Sequence, residues 1–211
     1  MVHLSVMLEE ALQHLAIKKE GVYIDGTFGR GGHSRRVLDA LGENGRLLSF
    51  DRDSAAIQCE NAQMMLQDAR FSLHHAPFSE MENKVEQAGL IGKIDGILLD
   101  LGVSSPQLDD QTRGFSFMND GELDMRMDCS QGLSAAQWLD QVDEKSLMHV
   151  LFDYGEERFA RQIARAIKAH QLTQSIETTR QLAKLIEETI PVREKHKHPA
   201  TRSFQAIRIA V

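Results

Sequence analysis

Apolar positions in the first hundred residues fall into short runs set between stretches of helical spacing. Val22 to Ile24, Leu47 to Phe50, Phe71 to His74 and Ile94 to Leu99 are runs of strand length. Between them, Val37, Leu38 and Leu41 fall at helical spacing, Ser54 to Leu66 reads as a helix with a Ser N-cap, and Ser79 to Ala88 reads as another. Strands separated by helices predict an α/β fold with a parallel sheet, whose ligands bind beyond the carboxyl ends of the strands. The loops after Ile24, Phe50, Leu73 and Leu99 all lie at that edge. Asp25, Asp51, Phe78 and Asp100 can therefore converge on one crevice.

Past Asp100 the alternation stops. Gly102 to Gly132 is a long stretch with few periodic apolar residues, rich in Gly, Asp, Ser and Met. A loop of that length in a compact domain is usually functional or disordered. Helices alone follow, over Ser134 to Gln141, Glu144 to Asp153, Glu156 to His170 and Thr178 to Thr189, with Pro191 ending the last. This half is expected to be a helical insertion hung on the sheet domain.

The chemistry is concentrated in Ile24-Asp25-Gly26-Thr27-Phe28-Gly29-Arg30-Gly31-Gly32-His33, where a strand ends in an acid and four glycines. Glycines let backbone approach a ligand closely, and the helix that follows offers unpaired N–H groups. Asp51 closes the next strand about twenty residues on, where an acid takes ribose hydroxyls. The dinucleotide pattern G-x-G-x-x-G fits poorly, because Ser34 stands where the third glycine belongs. Asp25, just ahead of the turn, suits a positively charged ligand without phosphates. S-adenosylmethionine (SAM), with its sulfonium, α-ammonium and adenosine, is such a ligand. The alternative is a plain strand-to-helix turn with a solvent-facing acid.

Composition narrows the class. Apolar content of 42% and charged content of 26% in 211 residues are ordinary for a globular protein with one substantial core and room for a small second domain. Two cysteines, Cys59 and Cys129, with no C-x-x-C, imply neither a disulfide framework nor a zinc knuckle and fit a reduced, cytoplasmic setting. Glu9 and Glu10 interrupt the first apolar run, which a signal peptide would not tolerate, and no run is long enough to span a membrane. The net charge of -7 hides an asymmetry: Arg158 to Arg208 hold eleven Lys or Arg against four Glu, an excess of +7, which leaves -14 for residues 1–157. A basic half can meet a polyanion. Within it, Arg158, Arg161, Arg165 and Lys168 recur at spacings of three and four, so they share a helix face that can contact successive phosphates or simply be solvated.

Asp100-Leu-Gly-Val-Ser-Ser-Pro-Gln107-Leu-Asp-Asp, Arg113-Gly-Phe-Ser-Phe117, Asp124-Met-Arg-Met-Asp128, Tyr154-Gly-Glu-Glu157 and His198-Pro-Ala-Thr-Arg202-Ser-Phe-Gln-Ala-Ile-Arg208-Ile follow in order. With the glycine turn, they closely resemble the RsmH (MraW) family of SAM-dependent bacterial ribosomal RNA cytosine-N4 methyltransferases, from His3 to the last residue. The resemblance implies a Rossmann-like class I methyltransferase parallel sheet with an inserted all-helical domain. The expected boundaries are 1–107 for the SAM-binding core, 108–200 for the long loop and helices, and 201–211 for the start of a segment returning to the core. It implies methyl transfer to the exocyclic N4 of a cytidine in the decoding region of small-subunit rRNA, with the assembled or nearly assembled subunit as the expected partner. By position, Gly31, Gly32 and His33 match the family's cofactor turn, to which Asp25 and Gly29 are added from the reading of the residues. Asp51 matches its ribose acid, and Phe78, Asp100 and Gln107 match its remaining cofactor contacts. Family members run on past Val211 with further helix and strands, so this chain is expected to be a fragment or a shortened relative with one side of its sheet open.

Asp100 is the carboxylate that topology places best to take a proton from N4, and it is equally a candidate partner for the amino-acid end of SAM. A target base must leave its stack to react. Phe115 and Phe117 could stack on it or plug the loop; Asp124, Arg126 and Asp128 could read a base or form local ion pairs. His74 and His75 are expected on opposite strand faces, not in a joint metal site. Lys195, His196, Lys197 and His198 suggest a basic RNA-facing loop without a zinc site, and Trp138 suggests helix packing. Competing with the methyltransferase are an NAD-type oxidoreductase and a non-catalytic RNA-binding remnant; self-association is possible.

Overall fold

The structure, a computed structural model, describes residues 5–191 and 198–211. Lys195, His196 and Lys197 of the expected basic loop lie outside the described residues. The chain divides into two compact units, 1–102 and 103–211.

In the first unit, β1 (Val22–Asp25), β2 (Arg46–Asp51), β3 (Phe71–His75) and β4 (Gly96–Leu98) form one parallel sheet in the order β3-β2-β1-β4. This is a Rossmann-like α/β fold. Side chains alternate across each strand, so register decides which face each apolar residue serves. Tyr23 pairs with Leu47 and Leu47 with Phe71, and these pack on Val37 and Leu38 of α2 (Gly32–Ala40) and Ala62 and Met65 of α4 (Glu60–Met65). Leu12 and Leu15 of α1 (Leu8–Leu15) join the same side. Ile24, Leu48 and Phe50 serve the other face with Ala76 and with Val85 of α5 (Met81–Gln87). Over β1, β2 and β3 both faces are covered, as a parallel sheet requires. Among the described residues β4 pairs with β1 alone, and Ile97 is 50% exposed.

Two expected helices differ in detail. The Ser54 to Leu66 helix is two pieces, α3 (Ser54–Ile57) and α4. Its cap is Asp53, whose carboxylate accepts the Ala55 N–H at 2.9 Å, one residue ahead of the expected Ser54. Cys59 breaks the helix in extended conformation and packs toward the core. The Ser79 to Ala88 helix opens as a 3-10 turn over Phe78–Glu80 before α5.

The second unit is helical: α6 (Ser105–Asp109), α7 (Ala135–Gln141), α8 (Glu144–Asp153), α9 (Ala160–Gln171), α10 (Thr179–Thr189) and α11 (Thr201–Ala210). Leu139, Leu147, Leu151, Ile163, Ile167, Leu182, Ile186 and Ile207 form its core, each at 0% exposure. The stretch expected as a bare loop is packed. It contains α6 and a 3-10 turn at Gln111–Arg113, and it buries Phe115, Leu123 and Met125 in that core. Helix α9 starts at Ala160, four residues later than expected. Glu156 takes a left-handed conformation (φ 50°), and the buried Glu157 carboxylate accepts the Phe159 N–H at 3.0 Å. Arg158 therefore precedes the helix. The segment expected to begin a return to the core is helix α11, which buries Ser203, Phe204, Ala206 and Ile207 in the helical unit. Among the described residues no helix is long and apolar enough to cross a membrane.

Candidate functional site

The strand order places the site. The chain runs β1 to β2 to β3 on one side, then returns to place β4 on the other side of β1. The strand order thus switches direction between β1 and β4, and such a point is where open α/β sheets take ligands. Asp25 ends β1, Asp51 ends β2, and Asp100 follows β4. Three carboxylates thus stand at the carboxyl ends of three adjacent strands.

The glycine turn is held by these acids. Gly29 (φ 56°) and Gly31 (φ 77°) adopt the left-handed conformation that favours glycine, and Gly31 caps α2. A side chain on Gly31 would meet Phe28 and Asn61, while one on Gly29 would meet only the Thr27 carbonyl oxygen at 3.9 Å, so that side of the turn is open. The Gly29 N–H donates to Asp51 Oδ2 at 2.7 Å and the Asp53 N–H to Oδ1 at 2.8 Å. Each carboxylate oxygen has a second lone pair, so Asp51 keeps capacity for ribose hydroxyls. Burial pushes its carboxyl up, with the Asp53 and Gly29 N–H groups pulling it back.

Asp25 is 1% exposed, which excludes the solvent-facing alternative. Burial is the largest influence on it and raises its carboxyl, opposed by hydrogen bonds from Ser34 and Thr27. The Asp100 backbone N–H donates to Thr27 Oγ1 at 2.7 Å, tying the loop after β4 to the glycine turn, while its carboxyl group lies in an exposed residue. Phe78, 41% exposed, starts the 3-10 turn after β3; Gly26 lacks a side chain where one would meet Phe78 and Leu99. His33 is buried and its Nε2 lies 3.1 Å from the Val6 carbonyl, so it anchors the segment ahead of α1. At Gly32 a side chain would meet Ser5. Thr27, Ser34 and Ser49 carry contacts here that the sequence reading had not assigned. The signal was the serine in the third-glycine position.

The remaining candidates lie in the second unit. Gln107 is buried and closes the capping box of α6: its Oε1 accepts the Ser104 N–H at 2.8 Å. Phe115 is fully enclosed, with the Arg113 guanidinium 5.3 Å over its ring and its carbonyl accepting from Arg208 at 2.8 Å. Such a ring offers no face to a base without opening of the core. Phe117 is half-buried against Phe204 and His198 and borders a cavity of about 500 Å³ shared with Arg180, Ala183 and Lys184. Asp124 and Arg126 pair at 2.6 Å. Burial opposes ionisation of Asp124, yet the Arg126 hydrogen bonds outweigh it and hold its carboxyl below the ordinary range. Met125 between them is left-handed (φ 63°) and 1% exposed, a strained position that the surrounding packing maintains. Asp128 accepts from Ser130 and Gln131 in a local turn. Arg158, Arg161 and Arg165 are exposed, whereas Lys168 donates to the Leu139 carbonyl and burial lowers its ammonium pKa. His74 stacks on Phe50 at 5.0 Å while His75 reaches the Arg52 carbonyl, so the two diverge.

A parallel sheet covered on both faces, with an acid-held glycine turn at its switch point, defines a Rossmann-like α/β protein. The chain belongs to the MraW methylase family, whose model matches residues 1–211. It is 56% identical over 209 residues to a ribosomal RNA small subunit methyltransferase H from Alteromonas mediterranea, an alignment covering 99% of this chain and 66% of that protein. The chain spans about two thirds of that relative's length.

Proposed function

We propose that this chain holds SAM at the carboxyl edge of β1, β2 and β4 and methylates the exocyclic N4 of a cytidine in the decoding region of small-subunit rRNA. The observation that carries the reading is the acid set itself: Asp25, Asp51 and Asp100 surround a left-handed glycine turn whose Gly29 N–H is already fixed on Asp51. A ligand that is cationic at one end and carries a ribose suits that set; a pyrophosphate does not. When bound, SAM supplies an electrophilic methyl on a sulfonium, which leaves as a neutral thioether.

The chain's own residues have three tasks. Asp51 takes the ribose hydroxyls on its free lone pairs. The glycine turn and Phe78 shape the space beside them, and the carboxylate of Asp25 lies beneath. The N4 amine is a poor nucleophile because its lone pair is delocalised into the ring. Asp100 accepts a proton from that amine as the N–C bond forms and returns it to water afterwards. Alignment of amine and methyl group supplies much of the rate, about 7–11 kcal/mol at best. The exposed Arg161 and Arg165 meet RNA phosphates. The substrate is ribosomal RNA in an assembled subunit, met in the cytoplasm.

Calorimetric titration with SAM, with NAD as control, tests the reading. Saturable SAM binding, followed by transfer of labelled methyl to subunits lacking the modification, supports it. Asp100→Ala should then abolish transfer with SAM affinity retained; affinity lost in step with transfer would move Asp100 to the cofactor's amino-acid end. SAM binding with no transfer under any condition favours the non-catalytic remnant. Binding of NAD alone would sink the assignment.

A further inference from the structure

Ser34 on α2, Ser49 on β2 and Asp25 at the end of β1 form a polar chain closed off from solvent, at 0%, 0% and 1% exposure. Ser34 Oγ stands 2.6 Å from Asp25 Oδ2 and 2.8 Å from Ser49 Oγ. Strand register sets Ser49 directly beside Asp25. The other carboxylate oxygen accepts the Thr27 N–H at 3.0 Å, with Thr27 Oγ1 at 3.4 Å.

A serine hydroxyl has one proton, which fixes the direction of the chain. With Asp25 ionised, Oδ2 can only accept, so Ser34 donates to Asp25 and Ser49 must donate to Ser34. The 2.6 Å separation falls in the range for a hydroxyl on a carboxylate, shorter than a neutral pair at roughly 2.7–2.8 Å. A proton on Oδ2 aimed at Ser34 would make the carboxyl the donor and release the Ser34 hydroxyl to donate to Ser49. The direction drawn above is thus the one that an ionised Asp25 requires.

We propose that Ser34, backed by Ser49, is a positioning residue that holds Asp25 as a carboxylate beneath the glycine turn, where its charge favours the cationic amino-acid end of SAM. This rests on the methyltransferase reading. At 1% exposure Asp25 acts through its field across the turn. The surroundings show why a dedicated donor is needed. Burial is the strongest influence on Asp25 and opposes its ionisation; Ser34 and then Thr27 oppose burial. His33 on α2 adds a smaller pull toward the ionised form, and Asp51 at the end of β2 a smaller push away. On the remaining side β4 places Leu98 at the register position of Asp25, which brings no charge, and Asp100 beyond it engages Thr27 through its backbone. The serine in place of a third glycine thus has a task of its own: it supplies the hydroxyl that a glycine could not.

The test follows the Asp25 side-chain carboxyl by carbon-13 NMR in the ligand-free 211-residue chain, with Asp25→Asn for assignment. Ser34→Ala should raise its titration midpoint by about one pH unit or more. Ser49→Ala, which leaves the Ser34 donor in place, should raise it less. SAM affinity of Ser34→Ala should fall several-fold further at pH 6 than at pH 8, and in the Asp25→Asn background Ser34→Ala should leave the pH profile unchanged. An unmoved midpoint with binding weakened equally at all pH values would reduce Ser34 to packing and overturn the proposal. A wild-type chain that binds no SAM sinks the methyltransferase reading instead, while the ligand-free midpoints still decide whether Ser34 holds the carboxylate.

Discussion

Replacing Asp51 by Asn isolates what a single carboxylate does for both the turn and the ligand. Its two oxygens accept the N–H groups of Gly29 at 2.7 Å and Asp53 at 2.8 Å. An amide has one oxygen, so in either orientation one of these N–H groups faces an NH2. An unsatisfied donor costs about 1–3 kcal/mol. The surviving bond also weakens, because it loses its charged acceptor. Relief of the carboxylate's burial offsets part of this, leaving a net loss of roughly 2 kcal/mol. Calorimetric melting should show the sheet unit's transition lowered by about 8 °C or more. The deficit has a pH signature. Burial raises the folded carboxyl above the ordinary aspartate range, so the contribution of Asp51 is fully present below the unfolded value and is lost as pH rises through the folded value. Asn does not titrate, and the gap between wild type and variant should therefore widen as pH is lowered from 7 toward 4. For SAM, the variant loses one charged acceptor for a ribose hydroxyl, a roughly ten- to hundredfold loss of affinity by isothermal titration. A variant that melts lower yet binds SAM within about twofold of wild type would place the ribose elsewhere and refute the assignment.

Two further outcomes concern the helical unit. Arg161→Glu with Arg165→Glu should weaken binding to small-subunit rRNA and reduce the slope of log affinity against log salt by about two, since both side chains are exposed on α9; unchanged affinity at low salt removes the row from the interface. Phe115→Ala empties a site at 0% exposure and should cost the helical unit about 3–5 kcal/mol in denaturant unfolding; a loss under about 1 kcal/mol would mean that the loop does not anchor the core as described.

The α/β alternation was legible because the strands are short and apolar and alternate with stretches of helical spacing, a pattern with few other uses. Asp25, Asp51 and Asp100 followed from topology, since residues just past parallel strands share one sheet edge. The long segment after Asp100 was misread as loose because its burial has no period. Phe115, Leu123 and Met125 enter the core one at a time from turns, among them the left-handed Gly114. Helix α9 was drawn too long because periodicity records apolar spacing and not the backbone reversal at Glu156. Lys168 fell in step with the arginines, yet a carbonyl at the end of α7 claims it, which only tertiary structure could reveal.

Ser34 shows where pattern reading and geometry meet. As a missing glycine it weakened the case for a dinucleotide, and as a buried hydroxyl 2.6 Å from Asp25 it strengthens the case for a cationic ligand. Glycine at that position serves close packing of helix on strand. Here the same close approach is filled by an Oγ that also satisfies Ser49, so packing is kept and a donor is gained. A pyrophosphate site would gain nothing from a carboxylate stabilised under its turn, because like charges would then face each other across it. A sulfonium and an ammonium gain directly. The exchange of one glycine for serine and the charge of the ligand are thus two sides of one electrostatic choice.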